Sequence, residues 1–401
     1  MYYLGIDWAT DKHDVCLLAD DGRVLSEFEI THDLKGFELL HQALKMFEPI
    51  RINIERSDGL LVDWIISQGY ELYVTPPYAM AQRRTKRSKS DRADAFQLAT
   101  MLRNGEEECR PFRQQSAIVV HLKQLVRAFD HAAREQRRLA NQLTYELQMY
   151  YPAAIGLFKQ VHSLINLAFL EFCPTPQAAL ALTRDELEAF LLSQNYKHMG
   201  RLDILYNTLQ TPMPTATVQD GHVEYVLMVL PLLRCLFERK RDLKKQVATV
   251  FNTHPEAGWW KSFPGTNGPL TPARMLAWIG DDRSRFPTAN ALQAIAGTVP
   301  ITRSSNKRTT ILFRQACCHP LRKAVMDLAR ESMRTSGWAR AYFNEQRSRG
   351  HAVPRAMRAL ANRWLKIIWT LWQSGEMYDE AVHLGNRARR GQPRKLEAAA
   401  D

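Results

Sequence analysis

The sequence contains no Cys-x-x-Cys pair, and its six cysteines (Cys16, Cys109, Cys173, Cys235, Cys317 and Cys318) are scattered along the chain. That spacing argues against a disulfide framework or a zinc module and fits a reducing compartment. Cys317-Cys318-His319 holds no tetrahedral ion, because three consecutive residues cannot converge on one. Long apolar runs are also lacking. The most apolar stretch, 225–237, is broken by Pro231 and Arg234, and it is shorter than the about 20 residues a membrane helix needs. The opening MYYLGIDWAT has no basic leader region and reaches an acid at Asp7, so it does not read as a signal peptide. The expectation is a cytoplasmic protein without a membrane partner. No GxxxxGK[ST] motif is present, which argues against a P-loop nucleotide site.

What is present is ordinary globular composition, 45% hydrophobic and 24% charged, in a chain of 401 residues. A wholly disordered chain is excluded, and the length predicts two or three domains. The formal charge is +12, unevenly spread. Residues 1–80 hold 14 acids and 6 bases, so the surplus of cations falls entirely in the remainder. An acidic module followed by a long basic stretch suits a cation-binding centre that must meet a polyanion, with nucleic acid the leading partner. No recognition-helix or zinc-finger motif offers a direct reader of a long DNA site.

The first 110 residues read as an α/β domain. Strands are predicted at 2–8, 13–19 and 23–31, a helix at 33–47, a strand at 51–55, a helix at 59–68 and a strand at 70–75. This order predicts a mixed sheet and matches the ribonuclease-H-like succession of elements. Residues 111–255 read as a helical linker. Leu122, Leu125, Phe129, Leu139, Leu143 and Leu147 set one long amphipathic helix. Leu227, Leu230, Leu233, Phe237, Leu243 and Val247 set a second, in which Pro231 predicts a kink or break. The two helices suit either an intramolecular hairpin or a dimer, and the proline-rich stretch between them predicts an irregular insert with short helices. Residues 256–375 read as mainly helical, with Trp338, Trp364, Trp369 and Trp372 as core. Residues 376–401 read as a basic, disordered tail.

Four acids stand out against this layout. Asp7 ends the first strand and Glu55 the fourth, and in a ribonuclease-H-like sheet those ends are neighbours. Asp91 and Asp94 are three apart in KSDRADAFQLA, so on a helix they share a face. Carboxylates gathered in this way require cations, and hard oxygen donors favour Mg²⁺ or Mn²⁺. A metal pair about 4 Å apart can activate a nucleophile and stabilise a leaving oxygen on phosphate. Asp11, Asp14, Asp20 and Asp21 read instead as turn or strand-edge acids, and Asp58 as the cap of the next helix. Beside the tetrad, QRRTKRSKSDR carries Arg83, Arg84, Lys86, Arg87 and Lys89, a strip suited to phosphate contacts.

A second group lies farther along. Gly265 and Gly268 precede a helix starting near Thr271-Pro272 and resemble a helix-hairpin-helix turn, although a plain glycine turn reads nearly as well. In GTVPITRSSNKRTTILFR, Ser304 and Ser305 lie in a polar loop flanked by Arg303, Lys307 and Arg308. A serine hydroxyl needs a base or metal to become a nucleophile near neutral pH, and the cations would stabilise an attacked phosphate.

LGIDWATDKHDV, INIERSDGLL and PPYAMAQRRTKRSKSDRADAFQLA together resemble the catalytic domain of the insertion-sequence 110 family of transposases. FPGTNGPLTPARMLAWIGDDRSRFPTANALQAIAGTVPITRSSNKR resembles that family's C-terminal domain. The resemblance implies a RuvC-like domain with a DEDD tetrad at Asp7, Glu55, Asp91 and Asp94. It also implies a helical transposase domain with a nucleophilic serine, joined to the first by the long helices that read as a coiled-coil linker. The family's loop has a glycine after the serine, where Asn306 stands here, so Ser305 matches better than Ser304. The resemblance further implies a structured guide RNA, donor and target DNA as substrates, and dimers that assemble into tetramers, with tetrad and serine from different subunits. Two other readings compete: a metal-dependent nuclease or junction resolvase that has no use for the serine domain, and a non-catalytic nucleic-acid scaffold.

Overall fold

The computed structural model describes residues 1–77, 79–80, 91–212, 214, 216, 218–266, 268–305 and 308–391, with side chains described except at 303–305, 308–311 and 386–391. The chain divides into two compact units, Met1–Gln114 and Gln115–Asp401.

The first unit is built on a mixed sheet of strands β1 (Tyr2–Asp7), β2 (Lys12–Leu18), β3 (Val24–Thr31), β4 (Ile50–Ile54), β5 (Glu71–Val74) and β6 (Arg110–Pro111). Their order is β3-β2-β1-β4-β5-β6. β4 lies parallel to β1 and β5 parallel to β4, whereas β2, β3 and β6 pair antiparallel to their neighbours. Helices α1 (Leu34–Leu44) and α2 (Leu60–Ser67) supply Phe37, Leu40, Leu61 and Ile65 to a core shared with Leu4, Ile6, Ile52 and Ile54. The element order follows from alternating apolar strands and short amphipathic helices, as the sequence predicts. One detail differs: Asp58 does not cap α2. Gly59 takes that position at φ +118, a left-handed conformation open to glycine, and Asp58 accepts instead from Arg56 at 3.3 Å.

Helix α3 (Asp91–Arg103) packs on the sheet through Ala95, Leu98, Ala99 and Met101, against Tyr3, Cys16 and Leu18. Gly5 permits this contact. A Cβ there would collide with the Ala95 carbonyl oxygen and the Ala99 amide nitrogen. Beside it on β4, buried Asn53 is the register partner of Gly5 and donates to the Leu98 carbonyl oxygen at 2.8 Å. Together the glycine and the amide set where α3 sits along the sheet.

In the second unit, α4 (Ala117–Tyr150) is paired by a later helix of equal length, Asp220–Thr253. Between them come α5 (Leu164–Phe172), α6 (Pro176–Ala181), α7 (Arg184–Ser193) and α8 (Leu202–Gln210), after which that later helix is α9. The two long helices run antiparallel within one chain. Leu139, Leu143 and Leu147 share a core with Val226, Leu230 and Leu233. At the other end, Val119, Leu122 and Val126 share one with Val247 and Phe251. Of the kink or break expected at Pro231, the break does not occur: α9 runs through it as one helix. A proline removes one backbone hydrogen bond, but Val229, Leu230 and Leu233 around it are fully buried, and packing holds the helix as one element.

The rest of the unit is α10 (Ala257–Lys261), α11 (Leu270–Ile279), α12 (Ala289–Ile295), the hairpin β7 (Ile301–Ser305) and β8 (Arg308–Leu312), then α13 (His319–Thr335), α14 (Gly337–Ser348) and α15 (Val353–Ser374). Their core centres on Trp260, Trp364, Trp372, Leu276, Leu328 and Phe286. Where the sequence suggests a disordered tail, the chain continues as helix α16 (Glu380–Gly391). Glu380 accepts from the Ser336 hydroxyl and the Gly337 amide, which fastens the start of that helix to α14.

Candidate active site

The four sequence-predicted acids of the first unit fall at one end of its sheet. Asp7 is the last residue of β1, and Glu55 directly follows β4, one step past the parallel pair Ile6–Ile54. Asp91 and Asp94 occupy the first turn of α3, where negative charge is favoured by the helix dipole. The direction of α3 follows from its other end. Arg103 lies against Gly22 in the β2–β3 turn, so the helix starts at the opposite edge, beside the ends of β1 and β4. Asp94 is buried, Asp7 and Glu55 are half-buried, and Asp91 is exposed. Glu55 makes no hydrogen bond or ion pair with a described residue.

A fifth acid lies at the same end of the sheet. Asp14 is the cross-strand partner of Asp7 on β2. Its carboxyl is pushed up by burial first and then by Glu29 and Asp91, with Arg92 opposing at 3.9 Å. Asp14 thus lies within an internal strand, not at a strand edge as the sequence suggests. The signal was the symmetric hairpin, whose register sets residue 14 opposite residue 7. The donors are all hard oxygens suited to a divalent cation. Among the described residues, however, no three of His, Cys, Asp or Glu stand as a ready ligand set. The elements converge and the coordination sphere is not closed.

Immediately after Asp7 the backbone is braced by a histidine pair. The Ala9 amide donates to His13 Nδ1 at 3.2 Å, so Nε2 carries the proton and donates to His32 Nδ1 at 2.7 Å. Trp8 packs against both rings and takes the Arg56 guanidinium at 4.1 Å from its ring centroid. His13 is fully buried, and burial first, then His32, pushes its pKa down to about 4. The unfolded chain binds that proton near pH 6.5. Stability contributed by neutral His13 is therefore complete above about pH 6.5 and is lost as pH falls towards 4, by about 3 kcal/mol at most. Urea unfolding at pH 7 and pH 4.5 should show this loss, and a His13→Gln protein should show less of it.

In the second unit, Ser304 and Ser305 stand on β7 and not in an irregular loop. Ser305 is the last strand residue and pairs with Arg308, and Ser304 pairs with Thr309. The β-branched residues Ile301, Thr302, Thr309, Thr310 and Ile311 favour a ribbon over helix, which the loop reading missed. The stem is anchored on both sides. Thr298 donates to Asn362 Oδ1 at 2.7 Å, Gln293 donates to the Asn362 carbonyl oxygen at 2.8 Å, and the Cys318 amide donates to the Ile295 carbonyl oxygen at 2.8 Å. Arg303 and Arg308 are strand positions in the same ribbon. Lys307, Arg83, Arg84, Lys86, Arg87 and Lys89 lie outside the described residues.

Two transposase domain families match the chain. The DEDD transposase domain of IS110-type elements covers residues 4–152, and the transposase domain of the IS116/IS110/IS902 family covers 260–344. A Streptomyces coelicolor protein named as the mini-circle transposase for IS117 is 32% identical over 400 residues, spanning 94% of this chain and 95% of its own length. The chain belongs to the IS110 family of transposases. More distant relatives extend over the same length. The 44.8 kDa protein of insertion element IS116 from Streptomyces clavuligerus is 23% identical, over 94% of this chain and 96% of its own. The 42 kDa protein of IS900 from Mycobacterium paratuberculosis is 23% identical, over 95% and 98%. The transposase carries Asp7, Asp14, Glu55, Asp91 and Asp94 within the first family match and its serine ribbon within the second. Among its described residues no helix is long and apolar enough to cross a membrane.

Proposed function

We propose that this transposase moves its insertion element by serine-mediated recombination guided by a structured RNA. Residues 1–110 are the RuvC-like tetrad domain, 111–255 the helical linker and 256–375 the serine domain. The observation that carries the reading is the convergence of Asp7, Glu55 and the first turn of α3 at one sheet end. The strand order β3-β2-β1-β4-β5, with β4 parallel to β1 and β5 to β4, supports the ribonuclease-H-like assignment.

In this reading Asp7, Glu55, Asp91 and Asp94 hold Mg²⁺ or Mn²⁺, which supplies charge neutralisation at the phosphate and activation of the attacking hydroxyl. Ser305 Oγ gives up its proton and forms a bond to phosphorus, and a deoxyribose oxygen leaves and takes a proton. The phosphoserine keeps one phosphodiester bond for each one broken. A free DNA end then attacks it and releases the serine, so rejoining needs no ATP. Arg303, Lys307 and Arg308 beside the serines, and the strip Arg83–Lys89, contact phosphates. Dimers that synapse into tetramers would bring the tetrad of one subunit to the serine of another.

Guidance by RNA is supported by the charge distribution. A long basic remainder binds backbones largely without reading bases, and site choice must come from elsewhere. The test is recombination between two chosen DNA sites after the loops of an RNA from the element's own locus are rewritten to match them. Site choice should follow the rewritten loops. Recombination confined to the original sites, or persisting after RNase treatment and repurification, would show that the protein reads DNA itself.

A further inference from the structure

No Asp or Glu occurs between Asp282 and Asp327, and none between Glu345 and Glu376. The fold brings these two acid-free stretches together at the stem of the β7–β8 hairpin, where α12, α13 and α15 meet. Phe313, the first residue after β8, lies under two guanidinium groups. Arg322 of α13 is 4.3 Å from its ring centroid and Arg358 of α15 is 4.5 Å away. Arg355 stands one helical turn before Arg358, on the same face.

These cations lack the counter-charges that their neighbours have. Elsewhere in the same unit, Arg274 and Lys323 share Asp130, and Arg283 pairs with Glu256. Among the described residues no carboxylate pairs with Arg322, Arg355 or Arg358. Arg358 loses proton affinity through burial first and then through Arg322 and Arg355. Arg322 donates to the Arg314 carbonyl oxygen, while its Nε is buried without a hydrogen-bond partner. The Phe313 ring face offsets only part of this repulsion. Like charges gathered around one exposed ring, with none of the usual acids, are arranged for an anion that arrives from outside.

We propose that Arg355 and Arg358, with Arg322 stacked on Phe313, form a phosphate clamp that grips the backbone of the DNA strand presented to the Ser304–Ser305 ribbon. Guanidinium forks suit phosphate oxygens, and backbone contacts position a strand without reading its bases. The inference rests on the proposed recombinase reading for the identity of that strand. It adds a gripping surface that is rigid, because Arg322 and Arg358 lie on packed helices and Phe313 continues the anchored stem.

The test uses the full-length protein freed of nucleic acid, with a short labelled DNA strand, its duplex and an RNA of the same sequence as probes. In Arg355→Gln/Arg358→Gln, DNA affinity near 0.1 M salt should fall by about tenfold, and the salt dependence should become shallower by about two phosphate contacts. The melting temperature should hold or rise, because repulsion is relieved. Arg358→Lys should recover part of the affinity. Arg355→Gln alone, at an exposed position, should give a smaller loss in a protein that folds normally even if the double variant does not. Unchanged DNA affinity and salt slope, a loss confined to the RNA probe, or a loss accompanied by a fall in melting temperature in both variants would each overturn the clamp. A Ser305→Ala protein that still cut DNA would remove the serine mechanism but leave this binding measurement standing, so the two failures are distinguishable.

Discussion

An Asp7→Asn protein should fold, bind nucleic acid and cut no DNA. Loss of one carboxylate from the tetrad should lower strand cleavage by about a thousandfold or more, on the order of 4 kcal/mol of barrier. Folding should not suffer. Asp14 lies directly across from Asp7, and its carboxyl is already pushed up by burial and by Glu29 and Asp91. Asn keeps the size and shape of Asp at the end of β1, so the unfolding midpoint should hold or rise. Asp94→Asn should behave similarly in cleavage. A folded Asp7→Asn protein with full cleavage activity would sink the metal-site assignment.

The second large effect concerns the ribbon. Ser305→Ala should stop cleavage while leaving nucleic-acid affinity within about twofold, since the deleted atom attacks phosphorus and adds little to binding. Wild-type reactions stopped by denaturation should contain DNA covalently attached to a peptide that includes Ser304 and Ser305. An adduct on Ser304 would shift the assignment by one residue along β7. DNA cut without any adduct would favour the nuclease reading, in which water replaces serine and the second domain serves only to bind.

The elements of the first unit were legible because each carries its own local signal. Alternation marks β1 to β3, Asp20-Asp21-Gly22 marks a turn, and period-three-to-four apolar spacing marks α1. The long helices were legible for the same reason, through Leu122, Leu139, Leu143 and Leu147. The misreadings occur where a local rule is outweighed by packing or by a neighbour. Pro231 sits within α9 because buried side chains around it hold the helix. Asp58 loses the cap position to a glycine that alone adopts φ +118 readily. The serine segment pairs as a ribbon because its β-branched residues find partners across a turn.

By itself the sequence determined which residues carry charge, where the strands β1 to β5 and the two long helices lie, and that Asp91 and Asp94 fall within one helical turn. These depend on neighbours three or four positions away, or on composition. Only the tertiary structure decided that α3 runs along β1 with its acidic turn beside the ends of β1 and β4. That placement depends on contacts far apart in sequence, a missing side chain at Gly5 and an amide at Asn53 bonding Leu98. It also decided that Asp14 lies across from Asp7, through strand register, and that Arg322 and Arg358 meet over one phenylalanine with no carboxylate paired to them among the described residues. No local period encodes the meeting of the arginines, which follows from where three packed helices and a hairpin stem come to rest.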